Sequence, residues 1–144
     1  MLNSRDIKDL HPKVQAMANA FVAKCKANGI DVLITSTYRD LESQQALYDQ
    51  GRSIASKARG EKIVTNAKAG QSFHNWRVAF DFVPIVRGKA CWNDTSVFER
   101  CGVIAESVGL EWAGRWKTFK ELAHCQYTGG LKLADFQSGK TLGA

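Results

Sequence analysis

A membrane-spanning helix needs roughly 18 consecutive apolar residues, and no stretch of this 144-residue chain approaches that length. The start, Met1-Leu-Asn-Ser-Arg-Asp-Ile-Lys-Asp-Leu10, also lacks the apolar segment of a signal peptide. The sequence therefore predicts no integral membrane segment and residence in the cytoplasm where the chain is made. Internal repeats and low-complexity linkers are missing too. With 44% hydrophobic and 24% charged residues, the composition disfavours long disorder, collagen-like repeats and coiled coil. The four cysteines, Cys25, Cys91, Cys101 and Cys125, form no C-x-x-C pair, so reduced thiols packed in a core are expected rather than a disulfide frame. Acids are the scarcer charge: 14 Asp and Glu against 20 Lys and Arg leave +6 at pH 7. That balance suits an anionic partner such as nucleic acid, an acidic wall polymer or an anionic membrane.

What is present fits one domain over residues 1–144. A chain of this size buries on the order of 68% of its unfolded surface, enough for a real core. Val14, Met17, Ala18, Phe21, Val22 and Cys25 recur at helical spacing and predict a helix from Pro12 to Asn28. Asp31-Val-Leu-Ile-Thr35 reads as a buried strand that delivers Tyr38 and Arg39 to its end. Asp40 is placed to cap a second helix through Leu41, Gln44, Gln45, Leu47 and Tyr48, stopped by Gly51. From Arg52 to Gly70 five bases, Arg52, Lys57, Arg59, Lys62 and Lys68, face one acid, Glu61. This segment reads as an exposed loop, either a patch for an anionic polymer or ordinary solvated surface. Val78 to Val83 predicts a strand ended by Pro84. Ser96 and Glu99, at capping-box spacing, open a helix through Cys101, Ile104, Ala105 and Val108. A strand over Leu122 to Tyr127 and at most a short helix after Gly129 complete an α+β order.

Histidine is rare, at three residues, and two of them keep unusual company: Ser72-Phe-His74-Asn-Trp-Arg-Val-Ala-Phe-Asp81 and Glu121-Leu-Ala-His124. His74 and Asp81 lie an odd number of residues apart, so one regular strand would send them to opposite faces. They converge only if Asn75-Trp76-Arg77 makes a turn. An aspartate between Phe80 and Phe82 is costly to bury without a cation or a hydrogen-bond partner. Glu121 and His124 can reach a common point either on one helical face or at a turn entering a strand. Two histidines and one carboxylate are a three-ligand set that leaves the fourth position of a tetrahedral zinc for water, with Glu121 as the unligated base. Arg39 could hold a substrate carboxylate or a developing oxyanion. Plainer readings exist for each: packed histidines, an Asp81–Arg77 pair, a solvated Glu121.

Ser-x-His-x6-Asp followed by an acid-x-x-His resembles the zinc peptidoglycan peptidases related to VanY-type D-Ala-D-Ala carboxypeptidases and to L-alanyl-D-glutamate endopeptidases, many of them bacteriophage endolysins. The likeness extends to Leu10-His11-Pro12, to the strand reaching Thr37-Tyr38-Arg39, to Gln45-x-x-Tyr48-x-x-Gly51 and to Gly109-Leu-Glu-Trp-Ala-Gly-Arg115-Trp116. It implies a Hedgehog/DD-peptidase-like α+β fold with a small central antiparallel sheet flanked by helices. It also implies Zn2+ on His74, Asp81 and His124, Glu121 as the catalytic residue, and Arg39, Gln45 and Ser72 as substrate-binding residues. The implied activity is zinc-dependent hydrolysis of the L-Ala–D-Glu amide bond of the peptidoglycan stem peptide. The implied protein is a monomeric endolysin that waits in the host cytoplasm, is released to the cell wall for host lysis and carries no separate wall-binding domain. On that reading an acidic envelope, rather than nucleic acid, accounts for the +6 charge.

Three positions depart from the family pattern. Trp76-Arg77 stands where many members have an aromatic residue and glycine, Glu121 where endolysin-like members often have aspartate, and Cys125-Gln126 where an aromatic-acid pair is frequent. If His124 faces the metal from a strand, Cys125 points away and makes a poor fourth ligand. The rivals are a D-Ala-D-Ala carboxypeptidase with the same metal chemistry, a cysteine peptidase built on Cys125, and a non-catalytic basic module that binds wall polymer or nucleic acid.

Overall fold

Pro12 has no N–H to leave unpaired in a first helical turn, and α1 (Pro12–Ala27) starts there, with the Lys13 N–H donated to His11 Nδ1 at 3.1 Å. The 3.6-residue period brings Val14, Ala18, Phe21 and Cys25 to one fully buried face. β1 (Asp31–Ser36) follows, then α2 (Leu41–Asp49), capped as expected by Asp40, which accepts the Ser43 N–H at 2.8 Å. The computed structural model describes residues 1–143.

The sheet is built from β1, β2 (Ala79–Val86), β4 (Glu111–Trp112) and β5 (His124–Gln126) in the order β1-β2-β5-β4, with β3 (Lys89–Ala90) paired to the far end of β2. Every pairing is antiparallel. α4 (Thr95–Ser107) and α1 cover one face. There Phe21 lies 5.8 Å from Phe80 and 5.0 Å from Phe82, and Phe82 lies 5.6 Å from Phe98, ring centre to ring centre. Alternation along β2 then sends Asp81 to the uncovered face. The fold is the expected α+β arrangement, a small antiparallel sheet with flanking helices.

Four expectations change. The basic segment is not all loop: Ser53 caps a short helix, α3 (Ile54–Ala58), by accepting the Ser56 N–H at 3.1 Å. Ser56 in turn accepts the Gly51 N–H and donates to Glu61, both at 2.7 Å. A side chain on Gly51 would overlap the backbone of Lys62 and Ile63, so glycine lets the segment fold back over the end of α2. The segment's charges largely serve this local fold. Arg52 donates to the carbonyls of Tyr48 and Thr65 with its guanidinium 3.9 Å from the Tyr48 ring, and Arg59 pairs with Glu61 at 2.9 Å.

β2 does not stop at Pro84 but passes through it to Val86, with Val32 opposite the proline. Phe82 donates its N–H to Ala123 just before β5, and two residues on Pro84 turns to the same side, where its carbonyl accepts the Cys91 N–H at 2.9 Å beyond β3, so the proline forgoes only the return bond at the end of this short pairing. α4 begins at Thr95 rather than Ser96. The Asp94 carboxylate accepts both the Val97 N–H at 3.3 Å and the Ser96 hydroxyl at 2.9 Å, a stronger cap than a serine two residues later. Cys25, Cys101 and Cys125 are core thiols, but Cys91 is only half-buried. The last helix, α5 (Leu133–Gln137), is the short one anticipated in the tail.

Candidate metal centre and its cleft

His74 sits in a 3-10 turn, Phe73–Trp76, because Ser72 and Asn75 cap it reciprocally. The Ser72 hydroxyl accepts the His74 N–H at 3.2 Å, and Asn75 Oδ1 accepts the Ser72 N–H at 3.2 Å. Asn75 also donates to the Arg39 carbonyl at 2.9 Å, while the Arg39 N–H donates to the His74 carbonyl at 3.1 Å. The turn that carries His74 and the strand end that carries Arg39 are thus one hydrogen-bonded unit. It closes on Arg77, whose φ of 64° lies in the left-handed region where glycine is at ease. Arg77 is held there by its guanidinium 3.7 Å from the Tyr38 ring and by donation to the Asp9 carbonyl at 2.8 Å. It therefore makes no pair with Asp81.

Asp81 Oδ1 is the meeting point. His74 Nε2 lies 3.3 Å from it and His124 Nδ1 3.1 Å, although 43 residues separate Asp81 from His124. The register of β2 on β5 places Asp81 opposite His124. The outer ring nitrogens are also engaged: His74 Nδ1 donates to the Thr37 carbonyl at 2.8 Å and His124 Nε2 to Gln126 Oε1 at 2.8 Å. A carbonyl oxygen only accepts, so these bonds place the protons on the outer nitrogens. In neutral rings the inner nitrogens then direct two lone pairs at a carboxylate oxygen, a repulsive arrangement unless a cation or extra protons lie between.

The electrostatics agree. Burial would raise the Asp81 carboxyl, but the hydrogen bonds and charges of His124 and His74 outweigh it and hold the group well below the ordinary carboxylate range. Burial would lower the His124 imidazole, yet bonding to Asp81 and the negative charges nearby raise it instead. One atom from each of His74, Asp81 and His124 lies within 4.8 Å of the other two, and two imidazoles with an ionised carboxylate are a donor set suited to a divalent metal such as zinc. The residues fit the ion.

This cluster lines a cleft of about 530 Å³ together with Arg39, Ser72, Trp116, Glu121 and Gln126. Glu121 stands at the turn before β5, its side chain 60% exposed and its Oε2 3.7 Å from His124 Nδ1, so it reaches the cluster while open to the cleft. Arg39 donates to Gln44 at 2.8 Å and to Ser36 at 3.2 Å, and its buried Nε has no partner. Burial lowers its guanidinium against the opposing fields of Asp81 and Glu121, and no carboxylate lies within salt-bridge range of it among the described residues.

Gln45 is not brought to the cleft. It donates to Asp49 at 3.0 Å and accepts the Ala69 N–H at 3.3 Å, whereas the fully buried neighbour Gln44 faces inward and braces Arg39. The helical turn between adjacent residues, about 100°, decides which glutamine faces the site, and the motif spacing alone pointed to the wrong one. Ser72 lines the cleft, with its hydroxyl occupied as a cap. Cys125 is fully buried in the core, its thiol pushed well above the ordinary range by burial, so it is neither a ligand nor a nucleophile. Thr37, Gln44, Asn75 and Gln126 were missed. Only Asn75 left a signal in the sequence, the capping spacing from Ser72.

Over residues 7–129 the chain matches the family described as VanY: D-alanyl-D-alanine carboxypeptidase. It is 37% identical over 127 residues to the peptidoglycan L-alanyl-D-glutamate endopeptidase CwlK of Bacillus subtilis (strain 168), across 82% of this chain and 73% of that one. It is 28% identical over 125 residues to the L-alanyl-D-glutamate peptidase of Listeria phage A118, covering 85% of this chain but only 39% of the phage protein. Among solved structures, the L-Ala D-Glu endopeptidase ChiX of Serratia marcescens superimposes with a TM-score of 0.64 at 18% identity, over 94% of this chain and 92% of ChiX. A mutant of the vancomycin-resistance D,D-pentapeptidase VanY in complex with Zn(II) gives the same TM-score and identity over 89% of this chain and 83% of that one. The match over most of the chain and the identity to CwlK place it plainly: this chain belongs to the VanY family of peptidoglycan peptidases.

Proposed function

We infer that the protein is a zinc-dependent endopeptidase that hydrolyses the L-Ala–D-Glu amide bond of the peptidoglycan stem peptide. The observation that carries this reading is the convergence of His74, Asp81 and His124 on one point at the cleft floor, with the unligated carboxylate of Glu121 beside it. Zinc held by those three residues would lower the pKa of a water to about 7 and polarise the scissile carbonyl. Glu121, free to move a proton, takes one from the attacking water and returns it to the leaving amine of D-Glu. Arg39 holds negative charge in the cleft, either the substrate carboxylate or the charge that develops on the carbonyl oxygen. Thr37 and Gln126 hold the outer ring nitrogens, which leaves the inner nitrogens of His74 and His124 as the atoms that would hold the ion.

The choice of bond rests on the relatives, since both curated proteins carry the L-alanyl-D-glutamate specificity in their names. The phage relative supports an endolysin role, in which the catalytic unit meets the host wall after release. No described helix is long and apolar enough to cross a membrane. The D-Ala-D-Ala carboxypeptidase reading is favoured by the family description and by little else. Mass spectrometry of digested wall separates the two: the endopeptidase exposes a new D-Glu amine and leaves the stem terminus intact. Release of free D-Ala without that amine would overturn the L-Ala–D-Glu assignment.

A further inference from the structure

Gln126 does two things at once. Its Oε1 accepts from His124 Nε2 at 2.8 Å, while its Nε2 has no hydrogen-bond partner among the described residues although the side chain lines the cleft and is only 4% exposed. β5 pairs with β2 on one side and β4 on the other, so the backbone that bears Gln126 is held from both flanks. The side chain has little freedom to seek other partners. A carboxylate at this position, where the resembling family frequently has an acid, would bond the imidazole equally well but could present only acceptors to the cleft.

We propose that Gln126 is a positioning residue with a second role in substrate binding: its carbonyl oxygen keeps His124 turned with Nδ1 toward the metal, and its amide NH2 donates to a carbonyl or carboxylate oxygen of the bound stem peptide. The inference rests on the zinc-peptidase reading and adds to it a residue specific to this chain. An outer hydrogen bond on a metal-binding imidazole is commonly worth 10–100-fold in metal affinity. The NH2 is the end of the side chain left to the cleft with no partner of its own among the described residues, and a donor there favours a substrate group that can accept.

Two substitutions separate the roles. Gln126→Met removes both ends, and zinc affinity measured by competition with a chromophoric chelator should fall about 10–100-fold. Gln126→Glu keeps the acceptor but loses the donor, so zinc affinity should stay within about threefold while KM for a soluble stem peptide rises about tenfold or more, with kcat changing less. Far-UV circular dichroism of the metal-free variants checks folding, and Gln126→Ala replaces the methionine variant if that one fails to fold. Wild-type zinc affinity in the methionine or alanine variant overturns the positioning role, and an unchanged KM in the glutamate variant overturns the substrate contact. Failure of the wild type itself to bind zinc would instead contradict the underlying reading.

Discussion

Arg77 carries a local cost that its neighbours offset. A non-glycine residue in the left-handed region is disfavoured by roughly 1–2 kcal/mol, and here the Tyr38 ring and the Asp9 carbonyl hold it there. Replacing Arg77 by alanine removes both contacts and keeps the strain, whereas glycine removes the contacts and the strain together. Arg77→Gly should therefore be more stable than Arg77→Ala by about 1 kcal/mol, read from denaturant midpoints at equal slope. Equal midpoints would show that the turn bears no strain. At this scale the sequence was legible wherever a residue type is rare and costly to bury: His74, Asp81 and His124 stand out for that reason. Gln126 and Thr37 did not, because one acts through an amide whose partner depends on strand register and the other through a backbone carbonyl that any residue could supply.

Among the elements, the clamp around Trp112 decides where Glu121 stands. The Trp112 indole donates to the Leu122 carbonyl at 2.8 Å, one residue from Glu121, and the ring fits only because Gly102 on α4 and Gly114 beside β4 lack side chains. A Cβ at either glycine would overlap the ring. Gly102→Ala should cost about 1–3 kcal/mol of stability through overpacking and displace the turn that bears Glu121. The check is thermal unfolding together with turnover, and a variant that unfolds as wild type does would refute the clamp. This gives the Gly109–Trp116 stretch, noted in the sequence only as a likeness, a physical role. Helices were legible from apolar period and caps, and β1 from its β-branched run. The two-residue strands β3 and β4 carry too few side chains to show a period, and the passage of β2 through Pro84 depends on pairings with β1 and β3 that no local pattern announces.

For the molecule as a whole, the cluster couples stability to pH in opposite senses with and without metal. The Asp81 carboxyl is depressed in the folded state, so its contribution is present above the ordinary carboxylate value near 4 and is lost as pH falls toward the depressed one. His124 is raised, so its contribution is present below the ordinary imidazole value near 6.5 and is lost as pH rises through the folded one. The metal-free protein should therefore lose stability as pH climbs above neutrality. With zinc, the ion takes the place of the proton, binding tightens as His124 deprotonates, and the stabilisation added by zinc should grow with pH. Melting temperatures from about pH 5 to about pH 8, with chelator and with zinc, test both limbs. A zinc-induced shift that does not grow with pH would contradict the assignment of His124 as a ligand.

The +6 charge, which composition left open among several polyanions, is partly absorbed by the fold, since Arg52 and Arg59 of the basic segment are tied to its own residues. In the proposed function the chemistry rests instead on the cluster and on Glu121. The most direct measurement is zinc content alongside hydrolysis of purified wall for the wild type and Glu121→Gln. One zinc per chain in both proteins, with hydrolysis lost by at least about 100-fold only in the variant, is the result this account predicts. Full hydrolysis by the glutamine variant, or a wild type that turns over unchanged in the presence of a strong chelator, would contradict it.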